Sequence, residues 1–77
     1  MQLTARKREI LRRVIEEYVA TGLPVGSRVL VERSGLAVSS STVRGELAEL
    51  EALGLLTHPH TSSGRTPTES GYRLYAE

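Results

Sequence analysis

Cysteine is absent from the 77 residues, which excludes a disulfide framework and a thiolate metal site and fits a reducing, cytoplasmic setting. No apolar run is long enough for a membrane span or a signal peptide. Phosphate-cradling and dinucleotide-binding glycine motifs are also missing. No serine has an evident paired base, and the carboxylates fall on helix faces where solvation accounts for them, so the expectation is a protein without catalytic residues or a cofactor. His58 and His60 flank Pro59, but a metal would need a third well-placed ligand that the sequence does not supply. Finally, the chain lacks an excess of either charge, with ten Lys and Arg against nine Asp and Glu. A net charge of +1 is by itself no argument for a polyanionic partner.

The distribution of charge is more informative. Residues 1–15 carry Arg6, Lys7, Arg8, Arg12 and Arg13 against Glu9, and residues 27–45 carry Arg28, Arg33 and Arg44 against Glu32. The acids gather at Glu16 and Glu17 and at Glu46, Glu49 and Glu51. Such a pattern predicts one face for a polyanion and another for solvent, set against the plainer reading that basic residues merely solvate helix surfaces.

A chain of this length forms one domain, and at this size folding buries only about 60 % of the surface that the unfolded chain exposes. Thr4 can cap a first helix in which Ile10, Leu11, Val14, Ile15, Tyr18 and Val19 share one face. Gly22 stops it. Glu9 precedes Arg13 by four residues, the favourable order for an intrahelical pair. Leu23-Pro24-Val25-Gly26 cannot continue the helix and reads as a connector or short strand.

Ser27 then caps a second helix from Arg28 to about Ser34, with Val29, Leu30 and Leu36 as its apolar residues and Gly35 as its terminator. After a tight turn over residues 35–38, Ser39 opens a third helix through Leu53, with Val43, Leu47 and Leu50 on one face and Gly54 beyond its end. Two helices joined by a short Gly-containing turn, the second with a polar N-terminus, make a helix-turn-helix.

Leu55-Leu56-Thr57-His58 and Arg65-Thr66-Pro67-Thr68 can pair as a hairpin around the polar loop at residues 59–64, with Pro67 confining the returning strand to an edge. Thr68 starts a last turn or short helix. Tyr18 belongs to the first helix's apolar face, and Tyr72 and Tyr75 close the chain, so all three read as core or lid rather than as platforms for stacking bases. The expected fold is mainly α with a small β-hairpin: a winged helix-turn-helix over residues 1–77, a three-helix bundle with a two- or three-stranded wing.

In such a fold the N-terminal part of the third helix enters the DNA major groove. Opposite Val43, Leu47 and Leu50 lie Ser41, Gly45, Ala48 and Ala52, with Thr42 and Arg44 on the flanks. Small residues let the helix backbone approach base edges. Ser39, Ser40, Ser41 and Thr42 offer hydroxyls, the free amides at the helix start favour phosphate, and Arg44 can reach guanine or phosphate. Ser27 and Arg28 join this set from the second helix, and His60, Thr61, Ser63 and Arg65 from the loop, which can lie along the backbone or place its Arg in a minor groove. The competing readings are a cap with a solvated first turn and a surface loop without a partner.

Several segments together resemble the HrcA family of bacterial heat-inducible transcription repressors: Leu3-Thr4 with Arg8-Glu9-Ile10-Leu11, Tyr18 to Gly22 with Pro24-Val25-Gly26-Ser27-Arg28, His60-Thr61-Ser62 with Gly64-Arg65, Glu49-Leu50-Glu51 with Leu53-Gly54-Leu55-Leu56, and Pro67-Thr68 with Gly71 to Tyr75. The resemblance covers essentially the whole chain. It implies a repressor that binds double-stranded DNA as a homodimer, at an inverted-repeat operator called CIRCE ahead of chaperone operons, with activity modulated by the GroEL chaperonin. It also implies a fragment, since the family continues into dimerisation and regulatory domains. Where the family usually has Asn after the Arg of the recognition helix this chain has Gly45, so a base contact is missing or relocated. A winged-helix protein-interaction module and the DNA-binding domain of another regulator family are the alternatives.

Overall fold

The computed structural model describes residues 3–35, 38–59 and 64–77. The elements run in the order α1 (Ala5–Thr21), α2 (Ser27–Ser34), α3 (Ser40–Ala52), β1 (Leu56–Thr57), β2 (Thr66–Pro67) and α4 (Glu69–Ala76). This is the winged helix-turn-helix that the sequence pattern predicts.

α1 begins where Thr4, in extended backbone, accepts the Lys7 amide on its hydroxyl at 3.1 Å. It ends at Gly22, whose φ of +72° turns its amide back to the Tyr18 carbonyl at 2.7 Å, a conformation that glycine adopts without a Cβ clash. Ile10, Leu11, Val14 and Ile15 are buried, and Tyr18 packs at the margin. Val19, expected on the same apolar face, is instead 70 % exposed. The periodicity continues for a turn beyond the part of the helix that other elements cover.

α2 departs from expectation at its start. Ser27 is not the cap but the first helical residue; Gly26 is the cap, with no side-chain bond, and its carbonyl accepts the Leu30 amide at 3.2 Å. The cause lies one residue upstream, where Val25 is already held in a β-bridge. Within α2, Leu30 is buried and Val31 packs on the core, whereas Val29, expected inside, is exposed. Leu36 and the middle of the turn after Gly35 lie outside the described residues.

α3 is capped by Ser39, which accepts the Thr42 amide, and it stops one residue short of the expected end, with Leu53 as its C-cap. Val43, Leu47 and Leu50 are buried as the spacing predicts. α2 packs on α3, α1 packs against both, and α4 lies on α1. Thr68 caps α4 by accepting the Gly71 amide at 3.1 Å while its hydroxyl donates to the Gly54 carbonyl at 2.6 Å. Tyr72 and Tyr75, expected as core or lid, are both more than a third exposed, and Leu74 supplies α4's contact with the core. Among the described residues no helix is long and apolar enough to cross a membrane.

β1 and β2 pair antiparallel, Leu56 with Pro67 and Thr57 with Thr66. The connector between α1 and α2 adds a single-residue third strand: Val25 and Arg65 exchange both backbone hydrogen bonds, each at 2.8 Å. The returning strand is therefore flanked on both sides rather than lying at an edge. Pro67 is tolerated because alternate residues of a strand face the same neighbour, so its missing donor points to the side where the Val25 bridge has already ended. Gly64 is buried beside this bridge, where a Cβ would lie 2.9 Å from Pro24.

Candidate nucleic-acid interface

With Val43, Leu47 and Leu50 held in the core, α3 presents Ser41, Gly45, Ala48 and Ala52 to solvent, and Arg44 is exposed beside them. At the helix start the Ser39 hydroxyl donates to Thr42 Oγ1 at 3.0 Å, lies 3.1 Å from the Ser41 hydroxyl and accepts the Thr42 amide. The tip is thus a cluster of hydroxyls at the start of a helix, with the Thr42 amide taken by Ser39, and the positive end of the helix dipole there favours an anion. Ser40 is exposed at the same end. A Cβ on Gly45 would meet nothing within 4 Å, so the centre of the outward face is open space.

The cations divide into two groups. Lys7 Nζ lies 2.6 Å from Glu49 and 2.9 Å from Glu46, and Arg6 lies 3.9 Å from Glu46, so the acidic half of α3 is tied to the start of α1. Bonds from Glu49 first and Glu46 second hold the Lys7 ammonium above the usual lysine range. Arg12 bridges Glu9 and Glu16, Arg13 also reaches Glu9, and Arg33 pairs with Glu17. Arg12 and then Arg13 hold the Glu9 carboxyl below the ordinary carboxylate range, and Glu9 in turn raises the Arg12 guanidinium. The basic stretch of α1, expected to face a polyanion, is therefore largely neutralised within the molecule. Among the described residues Arg8, Arg28 and Arg44 form no ion pair. Arg28 lies in the first turn of α2 and Arg44 in the second turn of α3. Arg8 lies instead in the shallow groove between α1 and Tyr75 of α4.

Of the wing candidates, His60, Thr61 and Ser63 lie outside the described residues. Arg65 is turned inward: its side chain is 15 % exposed and its Nε lies 2.8 Å from Glu51 Oε1. The other carboxylate oxygen of Glu51 lies 2.8 Å from His58 Nδ1.

The arrangement has known counterparts. A solved structure described only as the crystal structure of a hypothetical protein matches 95 % of this chain with a TM-score of 0.91 and 41 % sequence identity, over 24 % of its own length. No family model matches the chain. The heat-inducible transcription repressor HrcA of Thermomicrobium roseum is 57 % identical over all 77 residues, that of Moorella thermoacetica 49 % over all 77, and that of Nocardioides sp. 56 % over 72. The chain belongs to the HrcA family. It spans only 21–22 % of the length of these relatives.

In this HrcA-family segment, α3 brings Ser39, Ser40, Ser41, Thr42, Arg44 and Gly45 together at one end and along one outward face. Ser27 is half-buried at the start of α2 with Arg28 exposed next to it. Arg65 belongs to a different grouping, with His58 and Glu51. From sequence Glu51 reads as one more solvated acid on α3. Its partners lie seven and fourteen residues further on, and only the folded hairpin brings them to it.

Proposed function

We propose that the chain is the N-terminal winged-helix DNA-binding domain of a bacterial heat-inducible transcription repressor, reading an inverted-repeat operator of the CIRCE type ahead of chaperone operons. Family membership supports the repressor role, since the relatives carry that name. The single observation that carries DNA binding is the α3 surface: small exposed residues around a capped, hydroxyl-rich tip, with the opposite face pinned in the core. Such a helix can lay its backbone close to base edges in a major groove. Arg44 reads guanine or grips a phosphate, Ser40, Ser41 and Thr42 bond to phosphates or bases, and Arg28 with Ser27 anchors the backbone. His60, Thr61 and Ser63 of the wing add backbone contacts. In the whole protein this domain acts as one half of a homodimer in the cytoplasm, under control of the GroEL chaperonin through the parts beyond this segment. Nothing in this role requires a catalytic group.

The test is a titration of the 77-residue chain with the operator duplex and with a scrambled duplex of equal length, at several salt concentrations. The operator should bind more tightly. R28Q should weaken both duplexes alike and reduce the salt slope by about one, whereas R44Q should cost about 1–3 kcal/mol and relax the preference. Equal affinity of the unmodified chain for both duplexes would refute specific readout. Exposed Val19 and Leu23 favour a second reading as a protein-interaction module. Partner binding indifferent to both arginine substitutions would select it.

A further inference from the structure

We propose that Glu51 is a positioning residue for DNA readout: its carboxylate ties both sides of the wing's stem to the end of α3, so that the reading helix itself sets the stance of the wing. The inference rests on the DNA-binding reading and deepens it. Glu51 lies in the last turn of α3. One oxygen forms an ion pair with Arg65, 2.8 Å from its Nε just before β2, and the other is hydrogen-bonded to His58 Nδ1 just after β1, also at 2.8 Å. A single side chain thus spans the two stem ends that lead into the loop.

The main chain holds the same point from the opposite side. Arg65 is bonded to Val25 through both backbone groups, and Gly64 is packed against Pro24 too closely for any side chain. Arg65 is consequently fixed between α3 and the connector that precedes α2. With the Arg65 side chain 15 % exposed and that of Glu51 29 % exposed, this pair is better shielded than the intrahelical pairs on α1 and α4, so its Coulombic attraction is less weakened by water and salt. Among the described residues, the ion pairs that join a helix to the wing both use Glu51. Arg65 acts on this account as the foot of the wing, not as its reaching hand.

The variant E51Q keeps the shape and removes the charge, and H58Q removes one of the two ties. Both are confirmed as folded by circular dichroism before use. In the free chain the side-chain NMR signals of Arg65 and His58 should both shift in E51Q, because each loses a charged neighbour at 2.8 Å. In DNA titrations E51Q should lose roughly three- to tenfold in preference for the operator over scrambled DNA, with scrambled binding unchanged, and H58Q should lose less. A residue that served stability alone would lower the melting temperature and leave that ratio intact. Unchanged Arg65 and His58 side-chain signals, an unchanged ratio, or tighter operator binding by E51Q would overturn the proposal, the last because it would mean that Glu51 withholds Arg65 from DNA. Absence of any operator preference in the unmodified chain sinks the DNA-binding reading itself, and the Arg65 and His58 side-chain signals then decide the tie by themselves.

Discussion

Gly45 and Gly71 both lie inside helices, in opposite surroundings. A Cβ at Gly45 meets nothing, so Gly45→Ala removes only the conformational entropy penalty of glycine, and stability should rise by about 1 kcal/mol. For a domain of this size that is a melting temperature higher by roughly 4–8 °C. A Cβ at the buried Gly71 would run into the carbonyl oxygen of Leu55, so Gly71→Ala should cost about 1–3 kcal/mol. Thermal melts of the two variants check both signs, and a lower melting temperature for Gly45→Ala would contradict the open surroundings described for it. On the DNA-binding reading the same methyl at Gly45 adds bulk where α3 nears the bases, so operator affinity falls while stability rises.

The outer face of α1 carries a ladder in which Glu9 receives Arg12 at 2.7 Å and Arg13 at 2.7 Å. Because the Glu9 carboxyl titrates lower in the folded chain, its contribution is present above the unfolded-state value and is lost as pH falls through the folded one. Denaturant unfolding at a series of pH values should therefore find Glu9→Gln less stable than the unmodified chain near neutrality, with the difference vanishing in acid. A gap that persists in acid would assign the effect to something other than charge. Lys7 carries the opposite sign: its contribution is complete below the ordinary lysine value and fades as pH rises through the raised one.

At this scale much was legible from sequence. Thr4, Ser39 and Thr68 each precede a run with helical periodicity and cap through the hydroxyl, a signal confined to a few neighbouring residues. What could not be read depends on distant chain. Ser27 lost the capping position because a partner at Arg65 had already extended Val25, and Val19 and Val29 carry the apolar signal at places that the other described elements leave exposed.

Across the molecule the core is small, so single residues weigh heavily. Leu50 is fully buried, and Leu50→Ala should cost about 2–5 kcal/mol, a large share of the 5–15 kcal/mol typical of a whole domain. Val19→Ser, at an exposed site on the neighbouring helix, should stay within about 0.5 kcal/mol. Denaturant midpoints compare the two, and a Val19→Ser loss as large as that of Leu50→Ala would place Val19 inside the core. The outward face of α3 was legible because three buried aliphatics determine which side faces out. The charge distribution was not, since counting residues cannot reveal that Lys7 closes on Glu46 and Glu49 across two helices.

The bridge between Val25 and Arg65 makes the hairpin a structural part of the bundle rather than an appendage to it. Neither of the two amides can be deprotected without releasing the other's acceptor, so fraying of the stem and loosening of the inter-helix connector are a single cooperative event. Torque applied at the wing is felt between the first two helices, and a ligand that stiffens one stiffens both.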